Sequence, residues 1–159
     1  EIKKICRQID DAKLKVTRAD VHPTDLAWVL AGMQGIHPEK MHWGFISQHQ
    51  DGLLINARAE TVLSKPSFRN SVQNCRCVIP AAGFYEWNKE KEQVSFTMPQ
   101  SKILYMAGIW QPSDKGNQLV LLPEEIQPWI QNWEIAEEIL SKVPPLLERK
   151  QDYEQISLF

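Results

Sequence analysis

The chain has 159 residues, 43% of them hydrophobic and 24% charged, with a formal net charge of −2. That is the composition of a folded domain with enough apolar material for a core, so a single domain over residues 1–159 is expected. The slight negative charge argues against indiscriminate nucleic-acid binding, but a local basic groove is compatible with it.

Ile2, Ile5, Cys6 and Ile9 recur at helical spacing, which predicts an amphipathic first helix. Val21-His22-Pro23-Thr24 reads as a bend, Asp25 to Leu30 as a strand and Gly32 to Pro38 as a turn region. Met41, Trp43 and Phe45 alternate with His42 and Gly44, giving a second strand, and Leu53 to Ala57 is a short buried strand. Lys65-Pro66-Ser67-Phe68-Arg69 starts a helix, with proline near the first turn. Cys77 to Pro80 and Gly83 to Asn88 are strands around a small-residue turn, and Lys89 to Glu92 is a charged turn. Gln93 to Met98 and Leu104 to Trp110 are read as a hairpin.

Ser113 to Asn117 is read as a loop before a strand at Leu119 to Leu122. Pro123-Glu124-Glu125 then opens a helix, with proline first and acids at the positive end of its dipole. A further helix covers Glu134 to Leu140 and ends at Pro144-Pro145, and Tyr153 to Phe159 is expected to return as an edge strand. Many short strands and few helices predict an α+β fold: a curled, barrel-like sheet of mixed or antiparallel strands flanked by short helices. No apolar run reaches the roughly 20 residues that span a bilayer, so no membrane association is expected. Three cysteines with no CxxC pair do not make a disulfide framework, and a reducing cytoplasm is the expected location.

Two phrases stand out: Ile55-Asn56-Ala57-Arg58-Ala59-Glu60-Thr61, and Arg76-Cys77-Val78-Ile79-Pro80-Ala81-Ala82-Gly83-Phe84-Tyr85-Glu86-Trp87. Each sets polar side chains against a run that reads as buried strand. A polar group at such a position is either satisfied internally or belongs to a site. A pocket holding Asn56, Arg58, Glu60 and Glu86 is therefore expected. The stretch from Arg58 to Arg76 carries Arg58, Lys65, Arg69 and Arg76 against Glu60 alone, which favours an anion-facing surface.

Structural alternatives stand beside each of these. Arg58 and Glu60, two apart on a strand, share a face and are able to pair with each other. Glu86 is equally suited to an ion pair with Arg58 or Arg76. Cys75 and Cys77 read as small buried hydrophobes. His22, His37, His42 and His49 lack a zinc spacing, so no metal is expected. Trp110, Trp129 and Trp133 sit in apolar patterns and read as core, while Trp87 is open to either reading.

Taken together with Trp43-Gly44-Phe45 and Lys65-Pro66-Ser67-Phe68, the two phrases resemble the SOS response-associated peptidase (SRAP) family, the abasic-site-processing domain. Weaker matches are Val21-His22-Pro23-Thr24 and Leu104-Tyr105-Met106-Ala107-Gly108-Ile109-Trp110, so the resemblance covers most of residues 20 to 125. It implies an enzyme that acts on abasic sites in single-stranded DNA; no cofactor is expected, and a monomer is expected. The implied nucleophile is an N-terminal cysteine. Its amine condenses with the ring-opened sugar and its thiol closes a thiazolidine, a covalent DNA–protein crosslink; the same apparatus implies an autoproteolytic peptidase. By similarity Glu86 moves protons for the condensation and Asn56 orients nucleophile and sugar. Arg58 resembles the phosphate clamp, Lys65 and Arg69 outer phosphate contacts, and Trp43 a pocket wall or base-stacking face.

Family chains open Met-Cys-Gly-Arg, whereas this sequence opens Glu1-Ile2-Lys3. They also carry a His-Asp-Arg-Met-Pro phrase where Asn117-Gln118 here runs into Leu119. The strand after Trp43 continues Ser47-Gln48-His49-Gln50 in place of the family's Pro and Trp. Segments are accordingly expected to be missing at the start and near Gln118, and a full protein heavier than 18.4 kDa is expected. Two rival readings are a non-covalent single-stranded DNA module and a stand-alone cysteine peptidase.

Overall fold

A computed structural model describes residues 20–46, 52–111, 115–143 and 145–151. Its strands are β1 (Leu26–Ala31), β2 (His37–Trp43), β3 (Phe45–Ile46), β4 (Leu53–Leu54), β5 (Arg76–Ala81), β6 (Phe84–Trp87), β7 (Gln93–Thr97), β8 (Leu104–Gln111), β9 (Lys115–Leu121) and β10 (Glu148–Gln151). The helices are α1 (Ala59–Val62), α2 (Pro66–Asn74), α3 (Ile126–Gln131), entered through a 3₁₀ turn at Pro123–Glu125, and α4 (Trp133–Ser141). The α+β expectation is borne out.

Five strands close into a ring in the order β1-β2-β9-β8-β5. Every pairing in it is antiparallel except β2 with β9, which is parallel and joins His42 to Lys115 and Trp43 to Gly116. A second sheet has the order β10-β7-β6, and β3 pairs with β4 alone. The period-two alternation of strand side chains sorts the core into two faces. Leu30, Val78, Tyr105, Ala107 and Ile109 face the helices, where Val62, Phe68, Val72, Ile126, Trp129, Ile130, Ala136 and Ile139 meet them. Their neighbours Val29, Ala31, Cys77, Ile79 and Trp110 make a smaller cluster on the opposite face, with Met41.

Both helix starts read from proline are correct: Pro66 stands at the first turn of α2 and Pro123 opens the turn before α3. Asn132 caps α4, its side chain accepting from the Ile135 amide at 3.2 Å.

Several expectations are corrected. The hairpin of Gln93–Met98 with Leu104–Trp110 does not form. Strand β7 joins β6 and β10, while β8 joins β5 and β9. Six consecutive residues of β8 are buried, as suits a strand with β5 and β9 on its two edges and the helices over Tyr105, Ala107 and Ile109; in β7 only Val94 is buried. The strand read at Leu53–Ala57 stops at Leu54. Ser113–Asn117, read as a loop, already contains the start of β9. The edge strand β10 (Glu-Arg-Lys-Gln) was not foreseen; three charges in four residues suit an edge but carry no alternation to read. The helix read at Ile2–Ile9 and the strand read at Tyr153–Phe159 lie outside the described residues.

Candidate functional site

The first phrase hangs from the end of β2. Gly44 takes φ +119°, a conformation that favours glycine, and a Cβ there would lie 2.2 Å from Leu53 Cδ2. The bend brings β3 and β4 together, Phe45 opposite Leu54. The half-buried Trp43 is fixed at both main-chain atoms. Its amide donates to Asp25 O at 2.9 Å and its carbonyl accepts from the Thr24 amide at 2.8 Å. Its indole Nε1 donates to Ile55 O at 3.1 Å.

Asn56 follows, on an irregular, exposed segment that ends at Arg58, the N-cap of α1. Glu60 lies in the first turn of α1, where a carboxylate favours the helix dipole. Asn56, Arg58 and Glu60 are all exposed, so the expectation that they occupy core strand positions is corrected. The chain turns into a helix after Leu54, and the residue it buries there is Val62. Arg58 and Glu60 accordingly do not share a strand face. Lys65 is the N-cap of α2 and Arg69 is one turn into that helix, both exposed. Helix α1 packs on α2 and α4, so Arg58, Lys65 and Arg69 ride on one packed pair of helices.

The second phrase begins with a charge the sequence reading did not interpret correctly. Arg76 is 2% exposed. Its Nε donates to Trp129 O at 2.5 Å, its NH1 to Val72 O at 2.9 Å and to Gln73 O, and its NH2 to Ile130 O at 3.3 Å. All four carbonyls lie in the last turns of α2 and α3, where no amide of the same helix reaches them. The cation also sits at the negative end of both helix dipoles, with its guanidinium 5.5 Å from the Trp133 ring centroid. Burial pulls the Arg76 pKa down, opposed in part by Cys75. The available clue was an arginine directly after a helical segment and heading an apolar strand; two of its four acceptors, Trp129 O and Ile130 O, come from a helix some fifty residues on, which no local pattern reveals.

Glu86 lies on β6 in the second sheet and is exposed, between exposed Tyr85 and Trp87. A Cβ on Gly83, just before, would lie 2.5 Å from Phe96 O, so this glycine lets β6 approach β7, where Phe84 stacks on Phe96. Arg76 is committed to carbonyls, so the ion pair with Glu86 is ruled out. Among the described residues no hydrogen bond or ion pair joins Glu86 to Asn56, Arg58 or Glu60. The structure therefore joins Trp43 to the Asn56 segment and sets Arg58, Lys65 and Arg69 on α1 and α2. It carries Glu86 on a different sheet.

Cys75 and Cys77 are buried and free, as expected of small hydrophobes. Burial raises both thiols, Cys77 to about 12, which leaves neither a usable thiolate near neutral pH. Trp129 is fully buried, its Nε1 donating to Cys77 O at 2.9 Å, in keeping with the core reading. Among the described residues, no group of three metal-ligating side chains converges and no helix is long and apolar enough to cross a membrane.

Comparison with known proteins adds the following. The family model described as SOS response associated peptidase (SRAP) matches residues 1–132. The abasic site processing protein YobE of Bacillus subtilis is 35% identical over 127 residues, covering 72% of this chain and 57% of its own length. YoqW of the same organism, with the same description, is 37% identical over 91 residues, 50% of this chain and 41% of its own. The chain thus spans about half the length of the curated relatives it matches. In fold it is similar to a crystal structure of a phage-related protein from Bordetella bronchiseptica: TM-score 0.70 at 17% identity, covering 87% of this chain and 83% of that one. A protein from Bacteroides thetaiotaomicron gives a TM-score of 0.66 at 18% identity over 96% of this chain and 88% of its own.

Proposed function

Because the chain belongs to the SOS response associated peptidase (SRAP) family, we propose that it processes abasic sites in single-stranded DNA by covalent capture. The observation that carries this reading is the phrase Asn56-Ala57-Arg58, with Asn56 and Arg58 exposed, leading into helices that carry the exposed cations Lys65 and Arg69. The description of its relatives as abasic site processing proteins supports it.

In this reading the nucleophile is the α-amine of an N-terminal cysteine. An α-amine has a pKa near ~8, so a useful fraction is neutral at neutral pH. It adds to the C1′ aldehyde of the open sugar; loss of water gives the imine, and addition of the thiol across the C=N bond closes the thiazolidine. Glu86, an exposed carboxylate, gives and takes the protons of dehydration. Asn56 orients amine and sugar. Arg58 grips a phosphate with its fork of donors, and Lys65 and Arg69 extend that field along the strand. Self-cleavage of a leader falls in this reading to the thiol of the same cysteine, since its amine is then part of the peptide bond: the thiol attacks the preceding carbonyl and frees the amine, and water hydrolyses the thioester to the leader's carboxylate, in keeping with the peptidase of the family's name.

The deciding experiment mixes the full-length protein, with its native start, with a single-stranded oligonucleotide carrying one abasic site and runs a denaturing gel. A slow-migrating species that is absent with intact DNA is expected, formed more slowly by E86Q at unchanged DNA affinity. Absence of that species despite binding would leave the second reading, a non-covalent DNA module, which the exposed cations favour on their own. The buried, raised thiols of Cys75 and Cys77 count against a peptidase using either of them.

A further inference from the structure

We infer that Trp43 is a positioning residue for Asn56, acting through its indole N–H, and is not a base-stacking platform. The inference rests on the proposed reaction and adds a role to it.

Strand β4 ends at Leu54, so the carbonyl of Ile55 lies just past the last ladder pair. The Trp43 indole donates to that carbonyl at 3.1 Å, where a further strand residue would otherwise have donated. The donor itself has little freedom: the Trp43 main chain is tied to Asp25 and Thr24, and Trp43 pairs with Gly116 at the seam of the ring. The spacing is held from below as well, since Leu53 packs where a Gly44 side chain would be. Ile55 is thus fixed through its carbonyl, and Asn56 is the next residue. Asn56 is exposed, and its side chain makes no hydrogen bond among the described residues, so it is free to meet a substrate. Fixing the neighbouring peptide is what narrows its orientations. A stacking platform needs an open ring face; Trp43 is a half-buried residue whose indole edge is tied to Ile55 O, while Trp87 is 68% exposed.

The test uses the full-length protein, W43F and W43L. Affinity is measured by anisotropy on single-stranded DNA bearing an unreactive tetrahydrofuran abasic analogue, and single-turnover adduct formation on a true abasic site. Phe keeps an aromatic ring and Leu does not; neither has the N–H. Both variants are expected to bind within about twofold of wild type and to form adduct about tenfold more slowly, the equivalent of ~1.4 kcal/mol or one good hydrogen bond. A wild-type adduct rate in W43F would overturn the inference and leave the proposed function standing. A loss of affinity in W43L that W43F does not share would overturn it in favour of stacking. A wild-type protein that forms no adduct would remove the parent reading and this one together. Should the variants not fold, the wild-type indole N–H of Trp43 provides the readout by NMR. Slow exchange and a resonance unmoved by DNA are expected; a large ring-current shift on adding DNA would overturn the inference.

Discussion

Replacing Arg76 by Met keeps most of the side-chain volume and removes all the donors. Four carbonyls in the last turns of α2 and α3 then lose a charged partner, and the contact with the Trp133 ring is lost as well. Two effects oppose each other. Removing a buried cation that lacks a carboxylate partner among the described residues relieves its desolvation, and whole buried charge clusters are sometimes replaced by apolar groups at no cost. Here only one side is replaced, and three of the carbonyls stay buried without that partner, with Gln73 O partly buried. At roughly 1–3 kcal/mol for each group left unsatisfied, less what water and the long 3.3 Å bond to Ile130 O give back, the loss is expected to win. Arg76→Met should cost about 3–5 kcal/mol, a large share of the ~5–15 kcal/mol typical of a domain. Arg76→Lys keeps the charge but cannot fork to two helices, and should cost about 2 kcal/mol. Urea unfolding with a shared m-value, followed by tryptophan fluorescence, gives both numbers. A Met variant within about 1 kcal/mol of wild type would falsify the view that this guanidinium ties the helix ends together.

Gly44→Ala places a methyl group where Leu53 packs, at a φ of +119°, and should cost about 1–3 kcal/mol, read as a lower melting temperature; an unchanged value would mean the bend relaxes freely. The Cys77 thiol is raised from 9.0 to about 12 by burial, so above pH 9 the unfolded thiol ionises while the folded one holds its proton. Its contribution is complete below pH 9 and is lost as pH rises towards 12, so Cys77→Ala should flatten the alkaline fall in stability; parallel curves would argue against this assignment. Arg58→Ala should weaken single-stranded DNA binding and lower the slope of log affinity against log salt by about 0.7, the share of one phosphate contact on a single strand. An unchanged slope would make Arg58 structural. Asn132→Ala removes the cap of α4 and should cost about 1 kcal/mol in thermal unfolding.

The elements written in local chemistry were legible in the chain. Proline at a first turn marked α2 and the entry to α3, strands were read at Asp25–Leu30, Met41–Phe45 and Leu104–Trp110 where β1, β2 and β8 lie, and the order of the two phrases marked the family. Sequence order also identified Asn56, Arg58 and Glu86 as residues to watch, without saying that all three are exposed. Which strand pairs with which was not legible: β8 takes β5 and β9 on its two edges and passes over β7, the strand just before it in the chain. Nor was the fate of Arg76, read as part of an anion-facing stretch and found buried on four carbonyls. Local propensity depends on nearby residues and is carried by the sequence itself. The partner of a buried charge and the register of a closing sheet depend on groups far along the chain that only folding brings within hydrogen-bonding distance.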